Sequence, residues 1–360
     1  LSMDAKLSFG RLNPDFSLTL KKRVHEYFDR QEVRKRGNRK LYIKTAVLMA
    51  CAAGTYYLLV FAALPGWLSL ILCALFGLNL AAIGFNIMHD GAHGSYSQKA
   101  WVNSLMSYSL NLMGGCAYLW KQKHNTNHHS FTNIEGFDDD IDVQPWIKTN
   151  RNQKGRWYHR YQHIYWVVLY GMSYLLWVYS KDFKKYFSGK IADTDMKKMD
   201  LKEHFIFWIS KAVYLSIFIV IPALQLGWLK VLAGYLLASF VCGWVLAVIF
   251  QLAHVVEDTA FPLAEEGAGR KIEQDWAIHQ LATTANFGTG NKLLSWFAGG
   301  LNYQIEHHLF PKISHVHYPG ISKVVKDVCR QFSIPYIEYP TMMSALRSHI
   351  AHLKLVGAGP

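Results

Sequence analysis

GWLSLILCALFGLNLAAIGFNIMHDGAH, residues 66–93, has no charged side chain before Asp90 and places two histidines, His89 and His93, four residues apart at its end. Its apolar part is about 20 residues long, enough for a helix to cross a hydrocarbon core of ~30 Å. Histidines at i and i+4 lie on one helical face, where two imidazoles can reach one metal ion together. A span that stops at such a pair puts metal chemistry at a membrane surface.

Working outward, no acidic residue occurs from Ile43 to Met88, and Lys44 is the only basic one. The LPGW turn at 64–67 divides the stretch into two expected spans, about 43–64 and 67–88. A second hairpin follows the same plan: 205–225, a break at QLGW, then 228–253, which ends at His254. Both turns are nearly free of Lys and Arg, whereas the N-terminus, the 121–204 region and the C-terminal third are rich in them. By the positive-inside rule both termini and every histidine cluster face the cytoplasm. The stretches 101–120 and 161–180 mix apolar residues with Asn, Ser, Gly and aromatics, and read as interfacial helices. Helix-compatible runs then occur at 271–286, 291–304, 320–332 and 340–354. The expected fold is all-α and integral to the membrane: a basic cytosolic segment at 1–42, then one domain over 43–360. That domain holds four transmembrane helices in two hairpins, interfacial helices, and a cytosolic helical cap at 257–360.

The chain has 360 residues, is 51% hydrophobic and carries a net charge of +13. The basic residues flank apolar runs, so an anionic lipid surface or an acidic redox partner reads that charge better than nucleic acid does. The five cysteines are scattered without a CxxC, which removes zinc ribbons, iron–sulfur clusters and thioredoxin-like redox motifs. No apolar signal-peptide core opens the sequence, so insertion is expected to rely on the internal spans.

Two more clusters repeat the first. HNTNHH supplies His124, His128 and His129; QIEHH supplies Gln304, His307 and His308; His254 stands alone at a span end. Nitrogen donors in this number favour iron, copper, zinc or nickel over magnesium or calcium. One zinc site needs three or four protein ligands, so about eight point to two metals. The carboxylate ExxH pair of soluble di-iron bundles is absent, and HEYF at 25–28 fails the HExxH pattern because Asp29 stands where the second histidine belongs. A multi-haem carrier would ligate from within the spans rather than from their ends.

HDGAH, HNTNHH and QIEHH, in this order and separated by these hairpins, resemble the three histidine boxes of the membrane fatty acid desaturases over roughly residues 40–320. The resemblance implies a non-haem di-iron centre, molecular oxygen as co-substrate, and removal of two hydrogens from adjacent methylenes of a long acyl chain. It carries the ligand role onto His89, His93, His124, His128, His129, His307 and His308, with His254 as a further ligand. The glutamine that opens the third box is similar to the front-end, delta-6-like (linoleoyl-type) subgroup, which acts between an existing double bond and the carboxyl end. Gln304 is then a weak ligand or a group that orients one. Trp276, Gln280, Thr284 and Asn286 resemble a family segment near the active site. Eukaryotic front-end enzymes usually carry a fused cytochrome b5 with an HPGG motif, which this sequence lacks. A separate donor such as ferredoxin or cytochrome b5 is therefore expected, and a bacterial inner membrane. The acyl group could arrive on coenzyme A, a carrier protein or a lipid. The rival readings are a di-iron hydroxylase and, from another class, a zinc-dependent membrane hydrolase.

Other residues receive blander readings. His159 and His163 form a fourth i,i+4 pair, read as part of an interfacial helix. Asp138, Asp139, Asp140 and Asp142 read as a solvated loop or as carboxylates backing histidines. His315 and His317 are expected at the surface, and His25, His204, His279, His349 and His352 receive no function.

Overall fold

The computed structural model describes residues 7–10, 12–263 and 271–359; the parts of the expected N-terminal segment and cap at 1–6, 11, 264–270 and 360 lie outside these. Four helices are long and apolar enough to cross a membrane: Arg39–Phe61, Gly66–Ala92, Leu201–Leu226 and Trp228–His254. They fall close to the spans read from the sequence. Asn38 opens the first, its side chain accepting from the backbone N–H groups of Lys40 and Leu41. The second hairpin turns at Gly227, whose φ of 84° suits a residue without a Cβ.

The spans are not equivalent. Only 17% of the first is buried within the protein against 56% of the fourth, so the fourth is the inner helix and the first is the most exposed along its length. Glycines set how closely the fourth approaches its neighbours. A Cβ on Gly77 would strike the Ala238 carbonyl, and one on Gly243 would lie 2.7 Å from the Gly171 carbonyl. Gly171 belongs to the helix Gln162–Leu176, which packs along the fourth span while Ile164, Val168 and Leu176 stay exposed.

Elsewhere the chain departs from the helices the sequence predicts. The stretch 101–120 breaks into Ala100–Ser107, Ser109–Leu112 and Ala117–Lys121, with Gly114 at φ 85° between the last two. The helix expected over 291–304 stops after Lys292–Phe297 because Gly299 and Gly300 adopt φ values of 57° and 69°, and a Cβ on Gly299 would meet the Phe85 carbonyl. The helix expected over 271–286 is confined to Trp276–Thr283; Asn286 and Phe287 instead pair with Glu338 and Tyr339 in a two-residue parallel ribbon. Three such two-stranded ribbons are the only sheet among the described residues.

In the basic N-terminal segment, Phe16, Leu20, Val24 and Phe28 repeat every four residues along the helix Pro14–Gln31. They form a core with Tyr318, Ile321, Val325 and Val328 of the helix Tyr318–Gln331. The segment therefore buries one face on the cap and exposes its charges on the other.

Candidate metal centre

The second span leaves α-helical geometry before it reaches its histidines. Gly84–Met88 is a π turn, and His89–Ala92 resumes the α-helix. The second box goes further, with Gln122–His128 lying entirely in a π-helical segment that follows Ala117–Lys121. Such i→i+5 turns are rare and concentrate at functional sites, because the extra residue re-aims every side chain after it. Here the imidazoles of His124 and His128 stack at 5.0 Å, and the His129 N–H reaches the His124 carbonyl at 3.0 Å. The third box occupies the short helix Gln304–Leu309, and His254 is the last residue of the fourth span.

These four elements bring all eight histidines together, none more than 9% exposed. Ligand atoms of His89, His93, His124 and His307 lie within 4.8 Å of one another, and those of His128, His254 and His308 form a second set at the same spacing. His129 sits between the two, its ring 4.5 Å from that of His307 and 4.4 Å from that of His308.

The nitrogens are sorted in a way that points to metal. Nε2 of His93, His124, His128, His129, His254, His307 and His308 is buried with no hydrogen-bond partner. A buried polar atom left unpaired costs about 1–3 kcal/mol, so seven converging at one place call for an occupant that accepts their lone pairs. The opposite nitrogens are mostly held. His124 Nδ1 donates to Asp140 at 2.8 Å, His128 Nδ1 to Asp138 at 2.9 Å and His308 Nδ1 to Gln280 Oε1 at 2.8 Å. His254 Nδ1 faces the Thr283 carbonyl at 3.3 Å, and His307 Nδ1 pairs with the Tyr318 hydroxyl at 3.0 Å. A carboxylate or carbonyl only accepts, so Nδ1 carries the proton and Nε2 presents its lone pair inward.

Electrostatics favour neutral rings at His93, His124, His129, His307 and His308. Burial holds His93, His129, His307 and His308 well below the ordinary imidazole value. Burial also takes His124 down to about 4 against the opposing pull of Asp140. At His128 burial is again the largest single influence, but the charge and hydrogen bond of Asp138 together outweigh it and raise the group, making its ring more basic than an ordinary imidazole. Burial pushes Asp140 up, yet Lys123 and His124 beside it prevail and keep it well below the usual carboxylate range. Asp138 and Asp140 are thus the carboxylates that back the second box, while Asp139 turns away to Lys185 at 2.7 Å. Asp138→Asn and Asp140→Asn are each expected to weaken metal retention about 10- to 100-fold, the usual cost of losing an outer partner of a ligating histidine. Asp139→Asn should leave retention unchanged, and metal analysis after graded chelation distinguishes the three.

The four residues of the 276–286 segment turn out to brace the cage from outside. Trp276 Nε1 donates to the His129 carbonyl at 3.2 Å, Gln280 holds His308, and Thr284 bonds the Gln280 carbonyl. Asn286 caps the third-box helix by accepting from Ile305 N at 2.9 Å and donates to Glu306 at 2.7 Å. Glu306 itself is raised to about 7 by burial, against the bonds it accepts from Asn286 and Tyr336. Gln304 is buried in the same helix with its Oε1 unpartnered, free to face a ligand or water.

Outside the cage, His159 bonds the Pro145 carbonyl at 2.9 Å, and neither it nor His163 joins a metal-competent group among the described residues. The surface placement expected for His315 is wrong: it is 4% exposed, beside Asp90 and Lys44. His317 is half-buried, on the Arg36 carbonyl at 3.1 Å. His279 is buried against Phe9, and His349 joins the Val255 carbonyl to the Tyr170 hydroxyl. Sequence reasoning missed Tyr318, Glu306, Asp90 and Thr132, whose hydroxyl donates to Gln280 Oε1 at 2.9 Å beside His308. For Glu306 and Asp90 the available signal was a carboxylate directly beside a box histidine; Tyr318 and Thr132 carried none.

Comparison with known sequences accords with this geometry. The profile of the family described as fatty acid desaturase matches residues 65–340. The chain is 40% identical over 355 residues to an acyl-lipid (8-3)-desaturase of Physcomitrium patens, covering 96% of this chain and 72% of that protein. It is 33% identical over 360 residues to an sn-1 linoleoyl-lipid 6-desaturase of Arthrospira platensis, covering 100% and 97%. A protein of the same name from Synechocystis sp. is 33% identical over 343 residues, covering 95% of each.

Proposed function

The chain belongs to the fatty acid desaturase family, and we propose that its histidine cage holds two iron ions that desaturate a long acyl chain carried on a membrane lipid. It is a membrane oxidoreductase; the lipid carrier is the reading supported by the names of its relatives. The new double bond lies on the carboxyl side of an existing one, a reading supported by Gln304 at the head of the third box. The observation that carries the site is the convergence of seven unpaired Nε2 atoms in two sets bridged by His129.

Bound iron would supply the oxidising power, with molecular oxygen, that no acid, base or nucleophile in the chain can provide for an unactivated C–H bond. The balance is one acyl CH₂–CH₂ unit, one O₂, two electrons and two protons, giving one CH=CH unit and two waters. The electrons come from a carrier such as ferredoxin or cytochrome b5, for which the net charge of +13 offers electrostatic attraction. The protein's own part is to hold and exclude. His89, His93, His124 and His307 would hold one iron and His128, His254 and His308 the other, with His129 between. Asp138, Asp140, Gln280, Tyr318 and the Thr283 carbonyl fix the ring orientations. Burial keeps bulk water from the cage. A long chain can be drawn from the bilayer by burial alone, at about 0.8 kcal/mol per methylene. The cage is read as facing the cytoplasm, on the side rich in Lys and Arg.

The test is product analysis by gas chromatography–mass spectrometry, with double bonds located by derivatisation, in a host expressing this chain beside a His307→Ala control and fed linoleate. The expected product has a new double bond on the carboxyl side and is absent from the control. A hydroxylated chain would replace this reading with hydroxylation, and a single zinc per chain in the purified protein would overturn the di-iron cage.

A further inference from the structure

Lys44 is the only basic residue between Ile43 and Met88, and Asp90 is the first acid after it. Both end up buried, at 8% and 1% exposure, with His315 between them at 4%. The three come from different parts of the chain: the first span, the end of the second, and the loop seven residues beyond His308. The Lys44 ammonium has three donors, and it has three acceptors: Asn86 Oδ1 at 2.7 Å, the Trp296 carbonyl at 3.0 Å and His315 Nε2 at 3.3 Å. Receiving at Nε2 makes His315 a neutral ring protonated on Nδ1. That nitrogen lies 3.0 Å from Asp90 Oδ2 in a bent contact, and the same oxygen accepts from the Ser314 hydroxyl at 2.6 Å. One positive and one negative charge are thus joined through a neutral imidazole.

We propose that Lys44, His315 and Asp90 form a charge-balanced clamp of positioning residues that fixes the first histidine box against the third. Asp90 sits directly after His89, and Ser314 and His315 follow the helix that carries His307. The clamp therefore sets the separation of two elements that contribute to the same set, His89, His93, His124 and His307. No hydrogen bond or ion pair among the described residues joins it to His128, His254 or His308, so its effect is expected in one half of the cage. Asn86 extends it by donating to the Phe297 carbonyl at 2.9 Å, which ties the second span to the turn before the third box. A buried ion pair of this kind contributes little to stability by itself, whereas removing one partner strands a buried charge. That asymmetry gives the clamp a signature that a merely stabilising contact lacks.

The proposal rests on the two-iron reading of the cage, and the experiment keeps the two apart. Full-length protein loaded with ⁵⁷Fe is compared as wild type, Lys44→Met, Asp90→Asn and the double variant, by product turnover and by Mössbauer spectroscopy. Each single variant is expected to lose about 10- to 100-fold in turnover, the scale of an outer partner's removal. In each, one of the two iron subspectra should change while the other stays. The double variant, with no stranded charge, should recover to well above the product of the two single losses. Single variants indistinguishable from wild type, a double variant at the product of the singles, or equal change in both subspectra would each overturn the clamp. A wild-type protein without two iron sites would instead overturn the cage reading itself.

Discussion

Replacing His129 by alanine should abolish desaturation. Its ring packs 4.8 Å from those of His93 and His124, 4.5 Å from His307 and 4.4 Å from His308, so it touches members of both sets. Both of its ring nitrogens are buried without a hydrogen bond, a state it shares among the described residues with His279, which packs on Phe9 away from the cage. With both nitrogens unpaired at the centre of the cage, each missing bond costs about 1–3 kcal/mol unless a bound metal takes the lone pair. If the cage holds two metals, His129→Ala opens both sites to each other and to water. Turnover should then fall by much more than the ~100-fold that an outer partner costs, and purified protein should hold fewer than two irons per chain. His159→Ala serves as the control, because that histidine is equally buried but bonds only the Pro145 carbonyl and the Arg156 backbone. A His129→Ala protein that retains both irons and measurable turnover would remove His129 from the ligand set.

The spans and the boxes were legible in the sequence because both are local signals: long uncharged runs and i,i+4 spacing. What lay beyond reach depends on tertiary contact. The i,i+4 spacing of His124 and His128 reads as an α-helical face, yet the chain there is π-helical, and no composition rule distinguishes QKHNTNH in the two forms. His315 follows Pro311 in a polar loop and looks like a surface residue; only the return of the first span, with Lys44 one turn inside it, draws that loop inward. Gly299 and Gly300 sit in a run otherwise compatible with helix, and the close approach of the Phe85 carbonyl, which requires a residue without a side chain, comes from a helix more than 200 positions away. The four residues singled out at 276–286 were read only as lying near the centre; that they bond to His129, His308 and Glu306 and to one another is a matter of tertiary contact. That distinction requires knowing which atoms face which.

Gly91→Ala is expected to cost about 1–3 kcal/mol of stability through overpacking and, more tellingly, about 100-fold in turnover, the scale of a ~1 Å misplacement at a reacting centre. By helix propensity alone the substitution should stabilise, since alanine is favoured over glycine in a helix by about 0.5–1 kcal/mol. The site decides otherwise. A Cβ at position 91 would stand 2.7 Å from the Ser107 backbone nitrogen, 2.8 Å from Met106 Cβ and 2.9 Å from the Asn103 carbonyl oxygen. Two of these are backbone atoms of the helix Ala100–Ser107, which cannot rotate aside as the end of a side chain could. Relief requires the His89–Ala92 turn and that helix to separate, and the same turn carries His89 and leads into His93. The histidines two residues before and two residues after Gly91 would move together. Thermal unfolding and turnover of Gly91→Ala, measured together, separate the two forces: a lower melting temperature with lost turnover means contact governs this turn, whereas a raised melting temperature with full turnover would mean that propensity does and that the first box tolerates displacement.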